Sequence, residues 1–196
     1  PAINFLQAQL VYSRQAQDMT TMTTVDENGQ LPLHRALRGN APLGSIKLLV
    51  RGNRDALQVA DRRGAYLGPV TVQVADDRLA YPLHIACEFS STKVVKYLVE
   101  LAGDALNIVD ANKDSPLHYA CRGGNLCVIK YLLHANVPSV SEKNNDNKLA
   151  IHLLLECGEN ILDRESLVYV ETVYQLLLAN PEVVQDFMSD RLRREE

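Results

Sequence analysis

The sequence predicts an all-α solenoid of helix–turn–helix–finger units, one of which carries an extended β-hairpin insertion. Three observations point there. A short phrase around a histidine occurs four times, as Leu31-Pro32-Leu33-His34, Tyr81-Pro82-Leu83-His84, Ser115-Pro116-Leu117-His118 and Leu149-Ala150-Ile151-His152, and the last three histidines are 34 residues apart. A fixed period of this length marks one small supersecondary unit stacked on itself, because a unit of that size buries its apolar face only against its neighbours. Second apolar stretches at helical spacing follow the first three phrases, and alternating segments that end in aspartate lie between units.

Taken in order, residues 1–25 read as a partial leading unit, with Ile3, Phe5, Leu6, Leu10 and Val11 on one helical face. Residues 26–60 form the first full unit, 82–109 the second and 110–143 the third. In each, proline (Pro32, Pro82, Pro116) opens an inner helix, since its missing amide hydrogen has no partner in a first turn. Compact residues follow the histidine, Ala36 and Leu37, Ala86 and Cys87, Ala120 and Cys121, and let a neighbouring helix approach. Gly124, Gly158 and Asn40 suit the left-handed conformation that ends such a helix. Outer helices then run through Ile46-Lys47-Leu48-Leu49-Val50, Val95-Lys96-Tyr97-Leu98-Val99 and Ile129-Lys130-Tyr131-Leu132-Leu133.

Residues 144–180 form a degenerate unit, in which Ala150 stands in place of proline and Leu154 fills the small slot. Val173 lies 21 residues after His152, whereas Val95 and Ile129 lie 11 after their histidines, so a loop is expected around Ile161–Ser166 and a longer helix over 165–178. Residues 181–196 read as a closing cap.

The interval from His34 to His84 is 50 residues, and its surplus has a source. Leu57–Tyr66 recurs as Val72–Tyr81 with seven of ten positions identical, so residues 61–81 behave as a duplicated finger. Val70-Thr71-Val72-Gln73-Val74 is β-branched and alternating, which predicts a long hairpin in this insertion.

Helix, turn, helix and finger at this period resemble the ankyrin repeat, whose pattern is Asp-x-x-Gly-x-Thr-Pro-Leu-His-x-Ala. The resemblance covers residues 20–187 and is carried best by the phrases at His84 and His118. It departs at the residue before proline, where only Ser115 offers the family's hydroxyl, and at the finger glycine, kept as Gly29 but replaced by Leu79, Lys113 and Asn147. These changes predict a weakened polar network in three units and fingers that turn differently. The resemblance also implies histidines bonded to backbone between neighbouring fingers, and it would place a family-type asparagine hydroxylation on Asn107.

Composition narrows function. The net charge is −4, from 24 acidic and 20 basic residues, and the bases are scattered, so the chain carries no electrostatic footprint for nucleic acid. No apolar run is long enough to suggest a membrane span. Four cysteines inside apolar helical patterns fit a reducing compartment, cytoplasmic or nuclear.

His84 with Cys87 and His118 with Cys121 offer four nitrogen and sulfur donors, the one arrangement in which zinc chemistry is conceivable. Against it, Leu37 and Leu155 occupy the equivalent cysteine slots, which marks an apolar core position that accepts a thiol. No phosphate loop, His-Glu-x-x-His or nucleophile triad occurs, so no catalytic, cofactor or metal residue is assigned.

What remains is recognition of a protein or peptide on the concave face of finger tips and inner helices. Ile85, Phe89 and Tyr119 form the expected apolar centre, and Arg62, Arg63, Asp77, Arg78, Glu88, Lys113 and Arg122 a polar rim. The alternative is weak self-association through the uncovered edge of the inserted hairpin.

Overall fold

The computed structural model describes residues 26, 30–58, 80–135, 138–157, 162–181 and 183. Among them the chain forms eight α-helices in four pairs: α1 (Pro32–Arg38) with α2 (Leu43–Gly52), α3 (Pro82–Phe89) with α4 (Thr92–Leu101), α5 (Pro116–Arg122) with α6 (Leu126–His134), and α7 (Ala150–Cys157) with α8 (Leu162–Ala179). Three short 3-10 turns, Arg54–Gln58, Gly103–Asn107 and Pro138–Val140, follow the first three outer helices. The helices α1, α3, α5 and α7 pack in one inner row, and α2, α4, α6 and α8 pack behind them in a second.

Small residues explain how closely the inner row packs. Ala36, Ala86 and Ala120 are fully buried, so each inner helix presents a near-flat strip to the next. Leu33, Leu37, Ile85, Leu117 and Leu154 fill the layer around them, and Ile46, Leu98, Ile129, Leu132 and Leu176 join the outer row to it. On the surface of the outer row, Lys47 sits 5.2 Å from the centre of the Tyr97 ring and Lys96 sits 5.3 Å from that of Tyr131. Lys130 then pairs with Glu171. The repeated Lys-Tyr pair of the outer helices therefore ties the first unit to the second and the second to the third through a cation over an aromatic face, and an ion pair takes its place at the last junction.

The helix starts are held differently from the expectation drawn from the missing hydroxyls. In every pair the histidine Nδ1 accepts the backbone N–H of the residue before the helix: Leu31 to His34 at 3.2 Å, Tyr81 to His84 at 3.1 Å, Ser115 to His118 at 3.2 Å and Leu149 to His152 at 3.0 Å. The ring itself satisfies one of the orphan amides of a helix start, so the cap survives in the three units that lack a hydroxyl. Where Ser115 supplies one, its Oγ adds a second contact to His118 Nδ1 at 2.8 Å.

Two of the expected helix ends match the reading from sequence, Asn40 at φ 49° and Gly124 at φ 61°, and Gly158 lies outside the described residues. The two described fingers at Lys113 and Asn147 turn alike, contrary to expectation, and that of Leu79 lies outside the described residues. Lys113 and Asn147 both take φ 59°, the left-handed value glycine would supply. The turns are closed alike, by Asp110 N–H to Asp114 O and Asn144 N–H to Lys148 O, both 3.0 Å. The strained backbone is held because the preceding side chain organises the loop: Asp110 Oδ1 accepts from the N–H groups of Asn112 and Asp114, and Asn144 Oδ1 from those of Asp146 and Lys148.

Two further readings need adjustment. The last outer helix begins at Leu162, three residues before the expected start. No strand occurs among the described residues, and the hairpin expected within 61–81 lies outside them apart from Ala80 and Tyr81, which lead into α3. The partial leading unit at 1–25 and nearly all of the closing cap at 181–196 also lie outside them.

Candidate interaction surface

Among the described residues, a dense set of buried hydrogen bonds lies where α3 and α5 meet their fingers. His84 Nδ1 is an acceptor, so its proton sits on Nε2, which donates to the carbonyl of Ile108 in the following finger at 3.0 Å. His118 Nε2 donates to the carbonyl of Lys148 at 3.2 Å in the same way. Burial lowers His84 to about 4 and also lowers His118, which keeps both rings neutral. Both nitrogens of each ring are thus engaged by backbone, and burial pushes the Cys87 and Cys121 thiols up. That chemistry suits packing and does not suit a zinc site. Among the described residues, no group of three or more metal-ligating side chains comes together.

Around these histidines runs a web of buried polar groups. The Tyr119 hydroxyl donates to Asp110 Oδ2 at 2.8 Å, and its ring lies 5.0 Å from that of His84. Burial raises the Asp110 carboxyl above the usual range, although its hydrogen bonds work in the opposite direction. Asp114 takes Arg122 on one oxygen and the Asn144 amide on the other, the latter at 2.8 Å. Arg122 also lies over the Tyr119 ring, 4.9 Å from its centre. Burial opposes the charge of Arg122, but Asp114 more than offsets this and the guanidinium is held above its ordinary value.

This geometry sorts the expected contact residues. Ile85 and Tyr119 are 1% and 2% exposed, so the expectation that they form an open apolar centre is corrected. Ile85 packs in the core, and Tyr119 turns its hydroxyl inward because Asp110 needs the donor. Phe89, at the end of α3, stays 40% exposed. Glu88 and Arg122 are half-buried and near enough for the Glu88 charge to act on the guanidinium, and Lys113 stands exposed at its finger tip. Arg62, Arg63, Asp77 and Arg78 lie outside the described residues.

Three residues that the sequence reading did not single out hold neighbouring inner helices together. Asn125 Nδ2 donates to the carbonyls of Cys87 and Ser90 at 3.3 and 2.8 Å, satisfying the open end of α3 from the next unit. Ser90 does the same one unit earlier, with Oγ 3.2 Å from the Leu37 carbonyl. At Gly123 a side chain would meet the Glu88 carbonyl oxygen at 2.5 Å, so the two backbones touch there. A polar residue about seven positions after each histidine was the available signal for the first pair. Gly123 gave none, because its constraint comes from a neighbouring unit.

The family model for ankyrin repeats matches residues 66–144 and 83–185, in three copies, more than half of the chain. The chain belongs to the ankyrin-repeat family. Ankyrin repeats are generally protein-interaction modules. Among curated proteins, none matches the chain. Within the described residues of this ankyrin-repeat chain, no helix is long and apolar enough to cross a membrane.

Proposed function

We propose that the chain is a non-enzymatic recognition module that binds a protein or peptide along the ends of its inner helices and its finger tips. Phe89 is the anchor, Glu88 and Arg122 flank it, and Lys113 contributes charge from the finger. The finger charges Arg62, Arg63, Asp77 and Arg78 extend this rim. Tyr119 and Ile85 act beneath it, as the floor that keeps the surface rigid.

The observation that carries this reading is Phe89: a large aromatic side chain left 40% exposed on a helix end, next in sequence to the half-buried Glu88. Interface energy concentrates in such aromatic anchors when a polar rim excludes water around them. Presentation on a fixed backbone adds to affinity, because little side-chain or loop ordering is left to binding.

The test is a titration of a partner identified by capture on the immobilised chain. Phe89→Ala is expected to weaken binding by about 2 kcal/mol, and Lys113→Ala by less, with unchanged helical circular dichroism. Wild-type affinity in the Phe89→Ala chain would remove the anchor and with it this placement of the surface.

A further inference from the structure

The outer row carries a second surface, built by helices other than the one that presents Phe89. On α2 the exposed side is Gly44, Lys47, Leu48 and Arg51, whose spacing of three, one and three residues is that of one helical face. The same offsets give Lys93, Lys96, Tyr97 and Glu100 on α4 and Cys127, Lys130, Tyr131 and His134 on α6, all exposed or half-buried. These helices pack on one another in order, so their exposed sides form one face. It holds the cations Lys47, Arg51, Lys93, Lys96 and Lys130 against a single acid, Glu100, in a chain whose net charge is −4. Bases that lie scattered along the sequence are gathered by the repeat. Packed helices lie about 8–10 Å apart, about one Debye length at physiological salt, so neighbouring cations act together on a charge outside.

We infer that this face binds an acidic segment of a partner protein. The way the lysines are held supports it. Lys47 and Lys96 lie over Tyr97 and Tyr131, neutral rings that orient the ammonium without cancelling its charge, whereas Lys130 meets Glu171, which ends the run. Arg51 and Lys93 meet no acid among the described residues. The sign of the strip calls for an anionic occupant, and its neighbours select a polypeptide. One face of each tyrosine ring is taken by a lysine and so is closed to stacking by bases, and Glu100 within the strip opposes a phosphate backbone. Leu48, 49% exposed, offers apolar contact beside the charges, which a segment of mixed acidic and apolar side chains meets. An extended chain rises about 3.3 Å per residue, so an acid at every third position matches the row Lys47, Lys96 and Lys130.

Fluorescence anisotropy on the full chain tests the assignment, with a short dye-labelled peptide that repeats Glu-Glu-Leu and its counterpart that repeats Gln-Gln-Leu. Binding of the acidic peptide alone is expected, and it weakens as salt is added. Arg51→Glu with Lys93→Glu, at two exposed positions, is expected to lower that affinity at least about tenfold with helical circular dichroism unchanged. Phe89→Ala and Lys113→Glu, which lie on the other surface, are expected to leave it unchanged. No binding by the parent chain, equal binding of the glutamine peptide, or full affinity in the doubly substituted chain would overturn the inference. A loss with Lys113→Glu as large as that with the pair would reduce the effect to net charge and also overturn it. Tighter binding of a single-stranded oligonucleotide or of phosphatidylserine vesicles, lost with the same pair, would assign the face to phosphate and equally overturn it.

Discussion

Gly123→Ala tests how closely the inner helices approach. Gly123 has φ −76° and ψ −5°, a conformation any residue adopts, so alanine here carries no backbone strain. By itself that change would stabilise the chain by about 0.4–1 kcal/mol through the unfolded state. The added Cβ would lie 2.5 Å from the Glu88 carbonyl oxygen, 3.0 Å from its Cα and 3.1 Å from its carbonyl carbon, all backbone atoms. Relief requires the end of α3 to move away from α5, against the fully buried Ala86, Cys87 and Ala120 and against the Asn125 clamp. Overpacking of this sort costs about 1–3 kcal/mol, so the net expectation is a loss of about 1–2 kcal/mol. Gly44→Ala in α2 is the control: nothing lies within 4 Å of its added Cβ, and a gain of up to about 1 kcal/mol is expected. Urea unfolding with matched m-values reads both. If the two substitutions shift the midpoint in the same direction, the backbone contact between α3 and α5 is refuted.

Two further perturbations follow from the same region. Because burial lowers His84 to about 4 while the unfolded ring titrates near 6.5, the unfolded chain binds the extra proton in that window, and stability falls as pH falls. His84 alone accounts for about 2 kcal/mol between pH 7.5 and 5, and His118 acts in the same direction. Asp110, whose carboxyl is raised by burial, takes up its proton first in the folded chain and offsets part of the fall at the acid end. Denaturant midpoints that do not move between pH 7.5 and 5 would contradict the buried neutral rings. Lys113→Gly removes a left-handed non-glycine residue and is expected to stabilise the chain by about 1 kcal/mol in the same assay, since Lys113 holds φ 59°; a loss would mean that the Lys113 side chain contributes more than its backbone strain costs.

The architecture was legible because its signals are local. Proline at the first turn, alanine two residues after the histidine and a glycine or asparagine at the helix end each specify geometry within a few residues, and the helices appear where those signals stand. The last outer helix starts early, at Leu162, because nothing in Leu162-Asp163-Arg164 forbids a helix and no capping pattern marked its beginning. The surface was less legible. The residue after each histidine is exposed at Arg35 and buried at Tyr119, although the two positions are equivalent in sequence. Both meet the finger aspartate nine positions earlier, Arg35 as an ion pair with Asp26 at 3.8 Å and Tyr119 through its hydroxyl to Asp110, so the difference lies in the side chain: the guanidinium keeps to solvent, whereas the Tyr119 ring packs 5.0 Å from that of His84. Lys113 departs from the sequence expectation for a related reason: glycine is not the condition for the finger turn, because Asp110 imposes it through two backbone N–H groups.

The histidine links these two levels. Its Nδ1 completes the start of its own helix, and at His84 and His118 its Nε2 closes on a carbonyl of the following finger. One side chain therefore couples a unit's local helix formation to the presence of the next unit, which is the nearest-neighbour term that makes a solenoid cooperative. It also explains why α7 tolerates Ala150 where proline is expected: His152 still takes the Leu149 amide at 3.0 Å, so the cap persists without a preset φ. The same coupling bears on recognition. A finger tied to two inner helices through His84, Asp110 and Tyr119 moves only if those buried bonds open together. Residues such as Phe89 and Lys113 are consequently displayed at fixed separation, and the recognition proposed above would draw its affinity from preorganisation rather than from area.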